Sequence, residues 1–267
     1  MKRLFFIFSF FHFFIATTVA QVGEYRTDFA VGVNGGYLMS SVAFVPEVPQ
    51  KQLGGITGGI TMRYTCEKYF NSICAIVAEV NYAQAGWKED ILSVNDEAVP
   101  LHTDPSQTLA FERRITYVQV PLLARMGWGR ERKGLQFFAQ IGPQVGMYMS
   151  DKVKSNFDAR DPEFNPGTTD QPNPLYRYRG VRASNVVAQD TLPVKYKLDY
   201  GIAGGAGIEY SHPRLGHFLL EGRYYFGLGN IFGNSKSDVF GKSNYGQIVI
   251  KASWLFDIVR TKNDKIR

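Results

Sequence analysis

The side chains that could act as nucleophile, base or metal ligand are few and poorly grouped. Beyond residue 20 the histidines are His102, His212 and His217. His212 and His217 flank a predicted short turn, and His102 sits beside Thr103 and Asp104 in a predicted loop. Nucleophilic catalysis needs a base within hydrogen-bond reach of a hydroxyl or thiol. No serine falls at a matching strand position, so no nucleophile–base pair can be drawn and no catalytic residue is assigned. Cys66 and Cys74 have no nearby histidine and make a poor metal site. They flank a short loop, 67–73, between two predicted strands, and that spacing allows either a hairpin-stapling disulfide or two free thiols in the wall. Gly32, Gly35 and Gly36 lie in a predicted strand with no helix after them, which argues against a phosphate loop. No cofactor or metal is expected, and the chain is read as a non-enzyme.

The richer chemistry is charge, and it is carried on strands. After Gln21 the sequence alternates with period two and shows no helical periodicity. Eight segments follow: 28–44, 55–65, 73–88, 113–128, 135–151, 194–210, 217–231 and 245–257. In the sixth, Tyr196, Leu198, Tyr200, Ile202, Ala206, Ile208 and Tyr210 share one face, against Lys195, Lys197, Asp199, Gly201, Ala203, Gly205, Gly207 and Glu209. A soluble barrel alternates too, with its apolar face inward. Three features put the apolar face outward here. The apolar faces run unbroken for about 10 residues, the length a tilted strand needs to cross a bilayer. Aromatics gather toward segment ends as a membrane girdle: Tyr37, Tyr64, Tyr82, Trp87, Trp128, Tyr196, Tyr210, Trp254 and Phe256. The connections 66–72, 129–134 and 211–216 are short, while 89–112 and 152–193 are long and 45–54 and 232–244 are intermediate. Short periplasmic turns and long external loops are the outer-membrane rule. The expected fold is therefore all-β, an eight-stranded antiparallel transmembrane β-barrel of outer-membrane type, with both termini periplasmic.

The polar face then points into the lumen. By parity it carries Arg63, Glu79, Arg125, Lys197, Asp199, Glu209, Glu221, Arg223 and Lys251. An eight-stranded barrel is just wide enough for side chains, and charges buried there must pair to offset desolvation. The expectation is an ion-paired core that plugs the barrel. The alternatives are a narrow porin-like channel and a lipid-modifying enzyme. Pro121 and Pro143 cannot donate to a ladder, so a bulge is expected at each.

The ends fit export. Lys2 and Arg3 precede an apolar run, 4–15, and then the small residues Ala16, Thr17, Thr18, Val19 and Ala20. That is the layout of a cleaved signal peptide over 1–20, leaving 21–267 as one barrel domain. It predicts a Gram-negative outer-membrane location. Without Lys2 and Arg3, the 30 basic residues become 28 against 24 acidic ones, and that charge of +4 is too mild for a nucleic-acid partner. The long connection 152–193 carries Tyr176, Arg177, Tyr178, Arg179 and Arg182 with Pro162, Pro166, Pro172 and Pro174. Such a loop is a candidate external contact surface for sugars, lipopolysaccharide phosphates or a protein. Outer-membrane lipid and lipopolysaccharide are the expected surroundings.

The strand sequences also carry a resemblance. Residues 115–123, with Tyr117, Pro121 and Leu122, resemble the Tyr-x-x-x-Pro-Leu strand of the PorT-like outer-membrane β-barrel family. Residues 138–146, 199–207 and 221–228 resemble that family's later strands, in order. The likeness spans roughly 28–257 and implies a small outer-membrane barrel, in a family whose name-giving member is associated with type IX protein secretion. It implies a secretion-system or surface protein partner, although the matching residues build the barrel and do not themselves carry that role. Residues 251–258 resemble the C-terminal signal read by the barrel-assembly machinery, with Ser253 where glycine is usual, so that machinery is an expected partner during insertion.

Overall fold

The computed structural model describes residues 24–69, 71–92, 95, 97–101, 104–130, 133–158, 192–233 and 238–261. Among them are eight long strands: β1 (Glu24–Val45), β2 (Leu53–Tyr69), β3 (Ser72–Glu89), β4 (Phe111–Gly129), β5 (Gly134–Ser155), β6 (Leu198–His212), β7 (Gly216–Gly227) and β8 (Lys242–Val259). Each pairs antiparallel with its neighbours in sequence, β1 pairs with β8, and the ring of eight is complete. Closure satisfies both edges of every strand, which is what a sheet in lipid requires. Among the described residues no helix is long and apolar enough to cross a membrane.

The alternation decides which face each residue takes. On β6, Leu198, Tyr200, Ile202, Ile208 and Tyr210 are exposed on the outside, while Asp199, Ala203 and Glu209 are buried inside. Outward apolar side chains continue round the ring, with Val33 and Tyr37 on β1, Ile141 and Met147 on β5, and Leu220 and Tyr224 on β7. Tyr37, Tyr82, Trp128, Tyr196, Tyr210, Trp254 and Phe256 face outward as expected, and Tyr64 is half-buried. Trp87 does not belong to the girdle. It is 0% exposed and points into the lumen, because it shares the parity of Glu79 on β3.

The short turns lie at one end, and positive-φ glycines build two of them. Gly129 and Gly134 bracket one, at φ 128° and 115°, and Gly216 closes the other at 86°; an L side chain is strained there. The opposite end carries the long connections. There β1 and β5 reach 22 residues, about twice what a bilayer crossing needs.

Two expected features differ. Pro121 and Pro143 cause no register shift: Pro121 stays opposite Gln144, and Pro143 opposite Ile202. The missing N–H costs a rung without adding a residue. The shifts fall instead at Tyr25/Asp28, Phe29/Ala30, Thr65/Glu67 and Thr116/Tyr117. β6 also begins at Leu198 rather than at 194, and β7 ends at Gly227 rather than at 231. The segment read as 1–20 signal peptide lies outside the described residues.

Connections three and one are partly structured. Pro100–Leu101 pairs with Asp104–Thr108, and Ile91, Val99, Leu109 and Phe111 form a small apolar core beneath them. Asn156 ties this to β5, accepting from Ala110 N at 2.9 Å and donating to Thr108 O at 2.8 Å. Asp104 accepts hydrogen bonds from the Ser106 hydroxyl and amide, which hold its carboxyl below the usual range. In connection one, Gln50 extends the wall: Val42 N donates to Gln50 Oε1 at 2.9 Å, and Gln50 Nε2 donates back to Val42 O.

Candidate functional site

The lumen is the site where the chemistry-bearing residues meet, and it is filled at four levels. The lowest lies by the short turns. Arg63 from β2 donates to both carboxylate oxygens of Glu209 on β6, at 2.7 and 2.8 Å, and Arg125 from β4 donates to the same group. The Arg125 guanidinium also stacks 3.8 Å over Phe138. Planar, always-charged guanidinium suits a buried carboxylate approached from two sides. Asp257 on β8 lies 3.9 Å from Arg63 and 3.0 Å from His217 Nε2.

The central level is a second closed set of charges. Arg223 on β7 takes both oxygens of Glu79 on β3, at 2.9 and 3.0 Å. Lys251 on β8, 2% exposed, reaches Glu79 at 2.6 Å and Glu221 at 3.1 Å, and Arg223 meets Glu221 at 2.7 Å. Gln140 donates to Glu221 at 2.7 Å, and Asn81 to Glu79 at 2.8 Å. Two cations face two carboxylates here, as Arg63 and Arg125 face Glu209 and Asp257 below. Such pairing is what makes burial of charge tolerable.

Above this the lining turns aromatic. Tyr117 stands edge-on to Tyr245 at 5.6 Å, and Tyr225 donates its hydroxyl to Asp199 at 2.7 Å. The top level is apolar. Ile231, Phe232 and Phe240 of the last connection fold into the mouth against Phe44 and Trp87, with Phe44–Phe240 centroids at 4.7 Å and Phe44–Trp87 at 5.2 Å. Ser243 Oγ pins this inward turn by accepting from Ile231 N and Phe232 N, each at 3.0 Å. Arg113 covers Phe232 at 5.3 Å, pairs with Asp151 at 2.6 Å and donates to Leu192 O at 2.9 Å.

Of the nine residues placed in the lumen by parity, Arg63, Glu79, Arg125, Asp199, Glu209, Glu221, Arg223 and Lys251 are buried there. Lys197 is not. It precedes the first residue of β6 and is exposed, so the parity was carried past the strand's end. Asp199 differs in its partner: a tyrosine hydroxyl holds it, not a cation among the described residues. Parity could have added Arg113, His217 and Asp257, which share faces with Arg125, Arg223 and Lys251. Nothing in the alternation marks Phe232 or Phe240, which lie beyond the strands.

One arrangement absent from the sequence reading needs a chemical account. Ser211 Oγ, His217 Nδ1 and Asp257 lie in a row, with Ser211 2.8 Å from Nδ1 and Asp257 3.0 Å from Nε2. This looks like a serine–histidine–acid chain, and register brings it about, because Ser211 and His217 are direct partners on β6 and β7. The surroundings oppose that chemistry. Glu209 Oε1 takes the Ser211 hydroxyl at 3.2 Å and Nδ1 at 2.7 Å. The imidazole therefore sits between two carboxylates, and the serine points at an acid rather than at a free base. A general base needs an open acceptor nitrogen toward the hydroxyl, and Ser211 is itself buried.

The two cysteines are free thiols, so the disulfide their spacing allows is not formed. The shift between Thr65 and Glu67 sets Glu67, not Cys66, opposite Cys74. Cys66 donates instead to Tyr64 O at 3.7 Å. Among the described residues no cluster of potential ligands could hold a metal. His102 and the external cluster Tyr176, Arg177, Tyr178, Arg179 and Arg182 lie outside the described residues.

The chain is similar in fold to several solved small barrels. Ail, the attachment invasion locus protein of Yersinia pestis, is 14% identical, with 85% of this chain and 98% of Ail covered at a TM-score of 0.34. OprG of Pseudomonas aeruginosa is 14% identical over 88% of this chain and 98% of its own, at 0.37. AlkL, an outer membrane protein solved in lipid bilayers, is 10% identical over 91% and 96%, at 0.32. At these identities and scores none of their roles transfers. Among curated proteins none matches the chain. With a closed eight-stranded ring, an apolar outer surface and a charged interior in place, the match over residues 19–233 completes the assignment: this chain belongs to the outer membrane protein beta-barrel domain family.

Proposed function

We propose that this chain is a non-enzymatic, non-conducting outer-membrane barrel whose lumen is a structural core and whose work is done at the end carrying the long connections. The observation that supports it is the filled lumen. Among the described residues, two charge clusters, a tyrosine layer and an aromatic cap fill the lumen, which speaks against a path for ions. Long loops on a rigid scaffold are where binding concentrates, and the short turns face the periplasm in this reading. Within its family we place the chain among the PorT-like barrels, on the strand with Tyr117, Pro121 and Leu122. That placement suggests a secretion-system component or a surface protein as partner.

Planar-bilayer recording tests the sealed lumen. The purified, folded protein should give a flat trace, and stable single-channel steps would overturn the reading. Crosslinking pull-down of the intact protein tests the partner class. An altered lipid A profile on deletion of the chain, restored by the wild type but not by Ser211→Ala, would turn the row of Ser211, His217 and Asp257 from packing into catalysis.

A further inference from the structure

At the end carrying the long connections, β3, β4 and β5 continue past the apolar band, and their outward side chains change character row by row. Tyr82 and Val118, opposite each other, close the band. Gln84, Thr116 and Ser150 come next, aligned across the three strands. Above them Arg114 lies opposite Lys152, and higher still Lys88, Glu112 and Lys154 form one row. Alternation turns these groups outward. Trp87 and Glu89 flank Lys88, Phe111 and Arg113 flank Glu112, and all of these neighbours are buried. On β5, Asp151 reaches Arg113 and Val153 packs on the small apolar core, so Lys152 and Lys154 take the outer face. Lys88, Lys152 and Lys154 are exposed.

One carboxylate, Glu112, thus stands among four cations, and Arg114 already meets it at 2.9 Å. Among the described residues Lys88, Lys152 and Lys154 have no ion-pair partner. A positive field of this kind attracts anions, and its height selects which. At about 3.3 Å per residue along strands tilted by about 40°, the Arg114 row lies roughly 10 Å above Tyr82 and the Lys88 row roughly 15 Å above it. The headgroup layer of a phospholipid leaflet is only about 5–8 Å deep. Phospholipid phosphates therefore fall at the level of Gln84, Thr116 and Ser150, below the cations. The anions that reach the cations belong to a lipid whose sugars and phosphates project beyond that layer. A protein approaching this face from the side would first have to displace those sugars.

We infer that the outer face of β3, β4 and β5 above the bilayer is a docking surface for the phosphorylated core oligosaccharide of lipopolysaccharide, with core phosphates at Lys88, Arg114, Lys152 and Lys154. The inference rests on the orientation proposed above, in which this face stands outside the cell.

The test is native mass spectrometry of the full chain in detergent. It is titrated with rough lipopolysaccharide carrying a phosphorylated core, with the same molecule after removal of its core phosphates, with lipid A lacking core sugars, and with phosphatidylglycerol. Wild type should prefer the phosphorylated core over every other probe. In the double variant Lys152→Gln, Lys154→Gln that preference should fall about tenfold while lipid A binding stays as it was. Lys133→Gln, exposed at the opposite end of the barrel, should leave the preference intact. All three lysines are exposed, and a heat-shifted gel band confirms that each variant folds. Equal binding of the dephosphorylated core, or an undiminished preference in the double variant, overturns the site. An equal loss in Lys133→Gln also overturns it, since bulk charge would then suffice. Displacement of the lipopolysaccharide by equimolar heparin would overturn the lipid-borne occupant in favour of a soluble polyanion. An epitope tag after Asp158 reads orientation separately. A tag masked until the membrane is opened puts the face in the periplasm and overturns the inference through its orientation. A tag detected on intact cells, with no preference for the phosphorylated core, overturns the docking surface and leaves the orientation standing.

Discussion

Arg223 and Glu79 clasp across the barrel through two parallel hydrogen bonds, at 2.9 and 3.0 Å, although 144 positions separate them in sequence. Removing one partner strands the other in a dry interior. Arg223→Met should lower unfolding stability by about 3–5 kcal/mol, and adding Glu79→Met should restore much of it, leaving Lys251 and Glu221 as a neutral pair. Urea unfolding in lipid vesicles measures both. Equal losses in the single and double variants would mean that the clasp is not where the energy lies.

The three tryptophans divide by face. Trp128 and Trp254 look outward, and Trp87 is sealed under Phe44 and Phe232. In single-tryptophan variants, brominated acyl chains should quench Trp128 and Trp254 and leave Trp87 bright. Trp87→Ala should cost about 3–5 kcal/mol, as for other buried aromatics. Quenching of Trp87 to the same degree as Trp254 would place it in the girdle after all.

Two glycines in the wall should respond in opposite ways. A Cβ on Gly207 would come within 2.3 Å of Leu220 O on β7 and 2.7 Å of Phe138 Cζ in the lumen, whereas one on Gly222 would meet nothing within 4 Å. Gly207→Val should destabilise by at least roughly 1–3 kcal/mol through overpacking, and Phe138→Leu should not restore it, because the tightest contact is with the β7 backbone. Gly222→Val should fold as wild type does. The readout is the temperature at which the heat-shifted gel band appears.

Cys66 and Cys74 should both react with N-ethylmaleimide after denaturation without reductant, adding two label masses to the intact chain. A single mass that takes label only after reduction would show the bridge formed in the cell.

Much of this architecture is legible in the sequence because a strand's side chains alternate strictly. Eight segments, their faces and the inward placement of Glu79, Arg223 and Lys251 follow from parity. Parity misled where it was stretched or ignored. Parity extended past the start of β6 puts Lys197 inward, and residue type alone puts Trp87 at an interface although its parity matches Glu79. The aromatic cap was hidden because Phe232 and Phe240 belong to a connection, where no period says which way a side chain turns. The row of Ser211, His217 and Asp257 was hidden differently. It depends on the register of three strands, which alternation alone does not set.

The lumen pairs have a kinetic consequence. Arg63 meets Glu209 across 146 positions, and Lys251 meets Glu79 across 172. The counter-charges of Arg63 and Glu79 come from strands outside their own hairpins, so an open, half-built sheet presents them as a wet trough. Entry into lipid and sealing of the seam between β1 and β8 must then coincide. A chain stalled before its last strand would stay at the membrane surface, recognisable by its hydration to whatever clears failed barrels.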